Sequence, residues 1–145
     1  MNQIWGIVLI VFTLIGWLGQ VISLISPRVA AGLGVSEPEA DVDPVYWADI
    51  RGEALWDSLV LWTLPVSGIL LILDNRLWIS FGLVGGGMWL YFVGRAILTR
   101  VTLQRRGIRI GSPKTLAVNY AFIIIWGIIA SVTIFKAAAA LSIPK

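Results

Sequence analysis

Four runs of apolar residues dominate the chain, and each is too long and too poor in charge to be the one-sided stripe of a water-exposed helix. The first, Ile4 to Ile25, contains no charged residue and is closed by Pro27 and Arg28. A helix crossing a bilayer needs about 20 mostly apolar residues, because the hydrocarbon core is about 30 Å thick and each residue rises about 1.5 Å. The second run, 54–73, carries Asp57 near its start and Pro65 near its middle. The third, 77–98, is rich in glycine, with Gly82, Gly85, Gly86, Gly87 and Gly94, and the fourth covers 116–136. The pattern predicts an all-α membrane fold, a single integral domain over residues 1–145 built as a four transmembrane helix bundle. The first run is expected to remain as a helix: it lacks the basic start, short apolar stretch and small-residue cleavage site of a signal peptide.

The connections differ sharply in charge. Residues 26–53 form the only long polar connection, with Glu37, Glu39, Asp41, Asp43, Asp49 and Glu53 against Arg28 and Arg51. Within it, Asp43 followed by Pro44 predicts a helix start, an N-cap carboxylate with proline at the first helical position. Asp74, Asn75 and Arg76 allow only a tight turn between the second and third spans. Residues 99–114 form a basic third loop holding Arg100, Arg105, Arg106, Arg109 and Lys114 without an acidic residue.

Four spans place both termini and the central turn on one side and the two longer loops on the other. With Arg95 included, eight Lys and Arg lie on the loop side, against Arg76, Lys136 and Lys145 on the other. Basic residues near span ends face the cytoplasm, whereas acidic ones contribute little to orientation. The expected topology is therefore N-out and C-out, with the acidic first loop and the basic third loop both cytoplasmic. A bacterial cytoplasmic membrane is the expected location. Trp5 and Trp78 would mark the outer interface, with Tyr46, Trp47, Trp56, Trp89, Tyr91 and Tyr120 nearer the inner one.

Composition narrows the chemistry. The 145 residues are 58% hydrophobic and 13% charged, and they include neither cysteine nor histidine. Disulfides, thiolate nucleophiles, imidazole ligands and every triad built on them are excluded. No catalytic residue, metal site or cofactor is expected.

The sharpest constellation is Asp49, Glu53 and Asp57, spaced i, i+4 and i+8 along one helix face that leads into the membrane. Like charges at this spacing repel, and Asp57, inside the apolar run, is the member that most needs a cation. Arg95 is expected at the same depth on the adjacent third span, with Arg51 and Arg100 within reach. These six residues define either an ion-pair network that fixes helix register or a site for a cation, proton or polar headgroup. Pro65 removes a donor and predicts a kink, a potential hinge, near Leu61 to Pro65, where Thr63, Ser67 or a neighbouring helix must satisfy the freed carbonyl. Gly82 and Gly86, with Gly16 and Gln20 on the first helix, form small-residue faces suited to close helix packing within one chain or between copies. Arg105, Arg106, Arg109 and Lys114 are expected at lipid headgroups, since each basic residue near an anionic surface contributes about 1 kcal/mol. The acidic and basic loops could attract one another across the same face, and nucleic acid is not an expected partner.

The Ser26-Pro27 break, the Leu33-Gly34 step, Ile50-Arg51-Gly52-Glu53 leading into the second span and Gly94-Arg95 leaving the third together resemble the DoxX-like small four-helix membrane proteins. Such proteins show a Glu-x-Arg-Gly pattern before the second span, and here Asp49 stands at the acidic position. The resemblance implies a four-helix bundle and no agreed chemistry. Two functions follow as expectations: a non-catalytic accessory subunit or homo-oligomer that acts by association with itself or another membrane protein, or a binder or transporter of a small amphiphile, lipid, quinone or ion at the loop-side ends of helices two and three.

Overall fold

A computed structural model describes residues 2–142. Met1 and Lys145, which bear on the expected outward termini, lie outside the described residues. The chain is 84% helix, with no strand among the described residues. Among the described residues six α-helices run in order, with one 3-10 turn at Glu39–Asp41: α1 (Asn2–Ile25), α2 (Pro27–Gly32), α3 (Pro44–Val60), α4 (Thr63–Ile72), α5 (Leu77–Arg105) and α6 (Pro113–Leu141). Four stretches are long and apolar enough to cross a membrane: Gln3–Ile25, Pro44–Ile72, Leu77–Arg105 and Pro113–Leu141.

Helix boundaries follow local chemistry. Asp43 caps α3 as expected, its Oδ1 accepting from the Val45 amide at 2.9 Å with Pro44 in the first turn. Ser112 does the same for α6, its Oγ accepting from the Thr115 amide at 3.2 Å ahead of Pro113. Two segments read as loop are helical. The start of the first connection forms α2, because Pro27 suits a first helical turn and Gly34, at φ 71°, ends the helix by sending the Val35 amide to the Ala30 carbonyl. Residues 99–105 continue α5 past the predicted boundary, since nothing before Gly107 breaks the helix. Gly107, at φ 73°, then closes it, with its own amide on Gln104 and the Ile108 amide on Leu103.

The second span is two helices. Its backbone turns at Leu61 and Trp62, four residues ahead of Pro65, the proline that leaves the Leu61 carbonyl without its helical donor. The partner comes from α5: Trp89 Nε1 donates to that oxygen at 3.0 Å. The three preceding carbonyls also accept from side chains. Ser58 accepts from Trp17 Nε1 at 2.9 Å, Leu59 from Trp62 Nε1 at 2.8 Å, and Val60 from Thr63 Oγ1 at 2.9 Å. Indoles from the first, second and third spans therefore hold the bend.

In the bundle α1 packs along α4 and, to a lesser degree, α3; α4 lies on α5, and α5 on α6. The backbones of α1 and α6 stay apart and are joined through Trp126, whose Nε1 donates to the Phe12 carbonyl at 2.9 Å, and α3 stands largely away from α5. The central core gathers Leu9, Leu61, Leu64, Phe92 and Trp89. Trp89 is fully buried and contacts Phe92 and Trp126 edge-on, at centroid separations of 5.8 and 5.6 Å. Trp89, Trp78 and Tyr46 are thus packed inside the chain. Gly82 lies against Ser67 and Thr133, Gly86 against Ile134, and Gly16 against Trp89 and Trp126. Absent side chains at these positions let helices of the same chain approach closely.

The two long loops meet at one end. The Asp43 amide donates to the Arg109 carbonyl at 2.8 Å, and Arg109 Nη2 donates to the Ala40 carbonyl at 3.2 Å. Val42 and Tyr46 pack with Ile110 and Leu116 beneath these bonds. Glu37 is buried here, its Oε1 accepting from the Ser112 amide at 3.1 Å.

Candidate functional site

Helix α3 carries Asp49, Glu53 and Asp57 on the face turned inward at the loop end of the bundle. Arg95 on α5 reaches two of them: its Nη2 lies 2.5 Å from Asp49 Oδ1 and its Nη1 3.1 Å from Glu53 Oε2. Asp57, the residue expected to need Arg95 most, forms no ion pair among the described residues. The pairing shifts one and two turns toward the loops because α3 leans on α1 while α5 keeps closer company with α4, so an arginine reaching across meets the outer carboxylates first. Asp57 is nevertheless only 3% exposed, and its Oδ2 is buried without a hydrogen-bond partner.

Arg51 and Arg100 do not join the ion pairs. Arg51 turns to α1 and donates from Nη1 to the Ser23 carbonyl and from Nη2 to the Leu24 carbonyl at 3.0 Å. Those are orphan acceptors at the end of a helix, where a cation is favoured. Arg100 Nη1 donates to the Ala96 carbonyl at 3.0 Å, and its guanidinium stacks on the Tyr46 ring at 5.9 Å.

The wide spacing of α1 and α6, and of α3 and α5, leaves a cavity of about 330 Å³ at the loop end. Gln20, Ser23, Arg51, Glu53, Tyr46, Arg100 and Asn119 supply its polar wall. Gly16, Phe92, Ile123 and Trp126 supply apolar surface. Ile15 of α1 and Val118 and Phe122 of α6 border the same space while remaining 56%, 47% and 37% exposed. Leu33 and Val35 of the first connection, 63% and 42% exposed, border it as well, so exposed apolar side chains flank the cavity on both sides.

Two groups on its wall are unsatisfied. Glu53 is 7% exposed and its Oε1 is buried with no hydrogen-bond partner; Arg100 Nε is buried in the same condition. Buried polar atoms in folded proteins are nearly always paired, so such exceptions call for an explanation. Chemically the wall offers an acceptor carboxylate and a donor guanidinium side by side, with apolar surface continuing toward the outside. Among the described residues no group of three or more acidic side chains is arranged to hold a metal ion.

The remaining sequence-selected residues fall elsewhere. Gln20 lines the cavity, whereas Gly16, Gly82 and Gly86 serve helix contacts within the chain. Arg105, Arg106 and Lys114 are exposed at the loop end, while Arg109 is tied to the first loop. Pro65 is buried beside the indole-capped bend. Ser23 shares the small-residue face of the first helix by spacing; Asn119 does not follow from spacing, a single polar residue in an apolar run being the available signal, and Tyr46 is expected only near the inner interface. Glu37, read only as one charge in an acidic loop, gave no local sign of its buried role.

The chain matches no protein-family model, no curated protein and no solved structure with which it was compared.

Proposed function

We propose that this protein is a multi-pass protein of a bacterial cytoplasmic membrane that binds a small amphiphile in the cavity between α1 and α6. The observation that carries the reading is the cavity itself: about 330 Å³, with a polar wall and a border of exposed apolar side chains that includes Ile15, Val118 and Phe122. Ligand sites are concave and mostly apolar, with a few convergent polar groups, and span about 300–1,000 Å³. The size suits a headgroup or single ring whose chain trails outward through the gap.

The eight basic residues of the loop end support the orientation in which both loops are cytoplasmic, and kinship with DoxX-like bundles is part of the same proposal. The association reading draws less support, because Gly16, Gly82 and Gly86 are occupied inside the chain.

Trp47 and Trp126 border the cavity, so binding is testable without a label on the protein. A brominated single-chain amphiphile titrated into the detergent-solubilised chain should quench tryptophan fluorescence saturably. Gly19→Leu, which places a side chain into the cavity wall, should abolish the saturable part. Quenching that rises linearly with amphiphile mole fraction, the same in both proteins, would refute the reading. Orientation is checked separately by reporter fusions: signal showing residues 34–36 outside the cytoplasm would reverse it.

A further inference from the structure

The charged side chains that line the cavity are two carboxylates, Glu37 and Glu53, and two guanidiniums, Arg51 and Arg100. Ionised, they sum to zero. A ligand head with net charge would leave an uncompensated charge in a poorly solvated space, which is strongly unfavourable. A wholly apolar head would leave Glu53 Oε1 and Arg100 Nε unpaired. The fitting head is neutral overall but carries an N–H-bearing cation for the first atom and an anionic oxygen for the second. Glu53 is 7% exposed and borders the cavity, and one of its carboxylate oxygens is unused while the other lies 3.1 Å from Arg95.

We infer that the occupant is an aminophospholipid whose primary ammonium donates to Glu53 Oε1 while its phosphate accepts from Arg100. This rests on the amphiphile-binding reading and names its substrate class. The cavity is too small for a two-chain lipid, so only the phosphoethanolamine head enters and the chains stay in the gap between α1 and α6. A phosphocholine head has no N–H to offer Glu53, and a phosphoglycerol head brings net negative charge.

The test uses the full chain in a non-ionic detergent and native mass spectrometry, which identifies each adduct by mass. Short-chain phosphatidylethanolamine, phosphatidylcholine and phosphatidylglycerol are offered in equal amounts, with free phosphoethanolamine added as a competitor. Phosphatidylethanolamine adducts should exceed each of the others by about tenfold or more, the range of one charge-assisted hydrogen bond. Glu53→Gln should bring the three lipids to near parity through loss of the phosphatidylethanolamine adduct. Equal binding of the three lipids by the wild-type chain would overturn the ammonium assignment and leave the cavity reading standing. Absence of any lipid adduct would overturn both. Displacement by free phosphoethanolamine at equal concentration would retain headgroup recognition but remove the amphiphile reading. A Glu53→Gln protein that keeps the preference would show that another acceptor is used. Should that variant fail to fold, the wild-type contrast between phosphatidylethanolamine and phosphatidylcholine decides alone.

Discussion

Trp89 donates its indole N–H to the Leu61 carbonyl at 3.0 Å, the oxygen that Pro65 deprives of its helical partner. Both residues are fully buried, so the bond has no water to replace it. Trp89→Phe should therefore lower stability by about 1–3 kcal/mol for the orphaned carbonyl, in addition to any packing loss. Pro65→Ala restores a backbone N–H facing Leu61, and in the Trp89→Phe background it should recover part of the loss. Denaturant titration of the four proteins in detergent completes the cycle, and strictly additive effects would show that the two residues do not share this carbonyl.

Three adjacent glycines on α5 should respond in opposite directions. A Cβ at Gly86 would meet Ile134 Cγ1 at 2.5 Å, and one at Gly85 would meet the Leu64 backbone nitrogen at 2.9 Å, whereas one at Gly87 meets nothing within 4 Å. Gly86→Ala should cost about 1–3 kcal/mol through overpacking. Gly87→Ala should raise stability by up to about 1 kcal/mol, the helix propensity difference. Melting temperatures followed by circular dichroism give the comparison, and a destabilised Gly87→Ala would contradict the packing described.

Arg95 is the cation that holds both Asp49 and Glu53. Arg95→Gln leaves two carboxylates facing one another and should destabilise by about 3 kcal/mol, the low end for a buried pair, because Arg95 and Asp49 are partly exposed. Adding Glu53→Gln to that background should return part of the loss by removing the more buried charge. Chemical denaturation measures both steps; a double variant worse than the single one would place the main interaction of Arg95 elsewhere.

Gly111 sits at φ 128°, and a Cβ there would be driven into the Glu37 carboxylate. Gly111→Ala should displace Glu37 from the Ser112 amide and loosen the joined loops. Hydrogen exchange should quicken at residues 36–43 and 108–112 while α4 and the middle of α5 stay protected. Unchanged exchange in the loops would show that Glu37 does not clamp them.

Long apolar runs and helix starts were legible in the sequence because they depend on neighbours along the chain. Asp43-Pro44 forms the predicted cap, and the helix is interrupted at Leu61 and Trp62, just ahead of Pro65. The donor that completes the bend was not legible. Thr63 and Ser67 were near at hand, yet Thr63 serves Val60, Ser67 serves Trp78, and the indole comes from 28 residues away. The i, i+4, i+8 spacing of Asp49, Glu53 and Asp57 fixed their shared face but not which would meet Arg95, because that depends on the lean of α3 toward α1. A cavity is less visible still, since it arises where helices separate, and periodicity reports only on the faces that touch.

The loose meeting of α1 and α6 has a consequence for how such a site would fill. A molecule arriving sideways never leaves the membrane, so its aqueous solubility does not enter the equilibrium. Occupancy follows the mole fraction of the ligand among its neighbouring lipids, by ordinary mass action. A site of modest intrinsic affinity would then be full for an abundant membrane component and nearly empty for a rare one. The chain would report on the make-up of the sheet in which it sits.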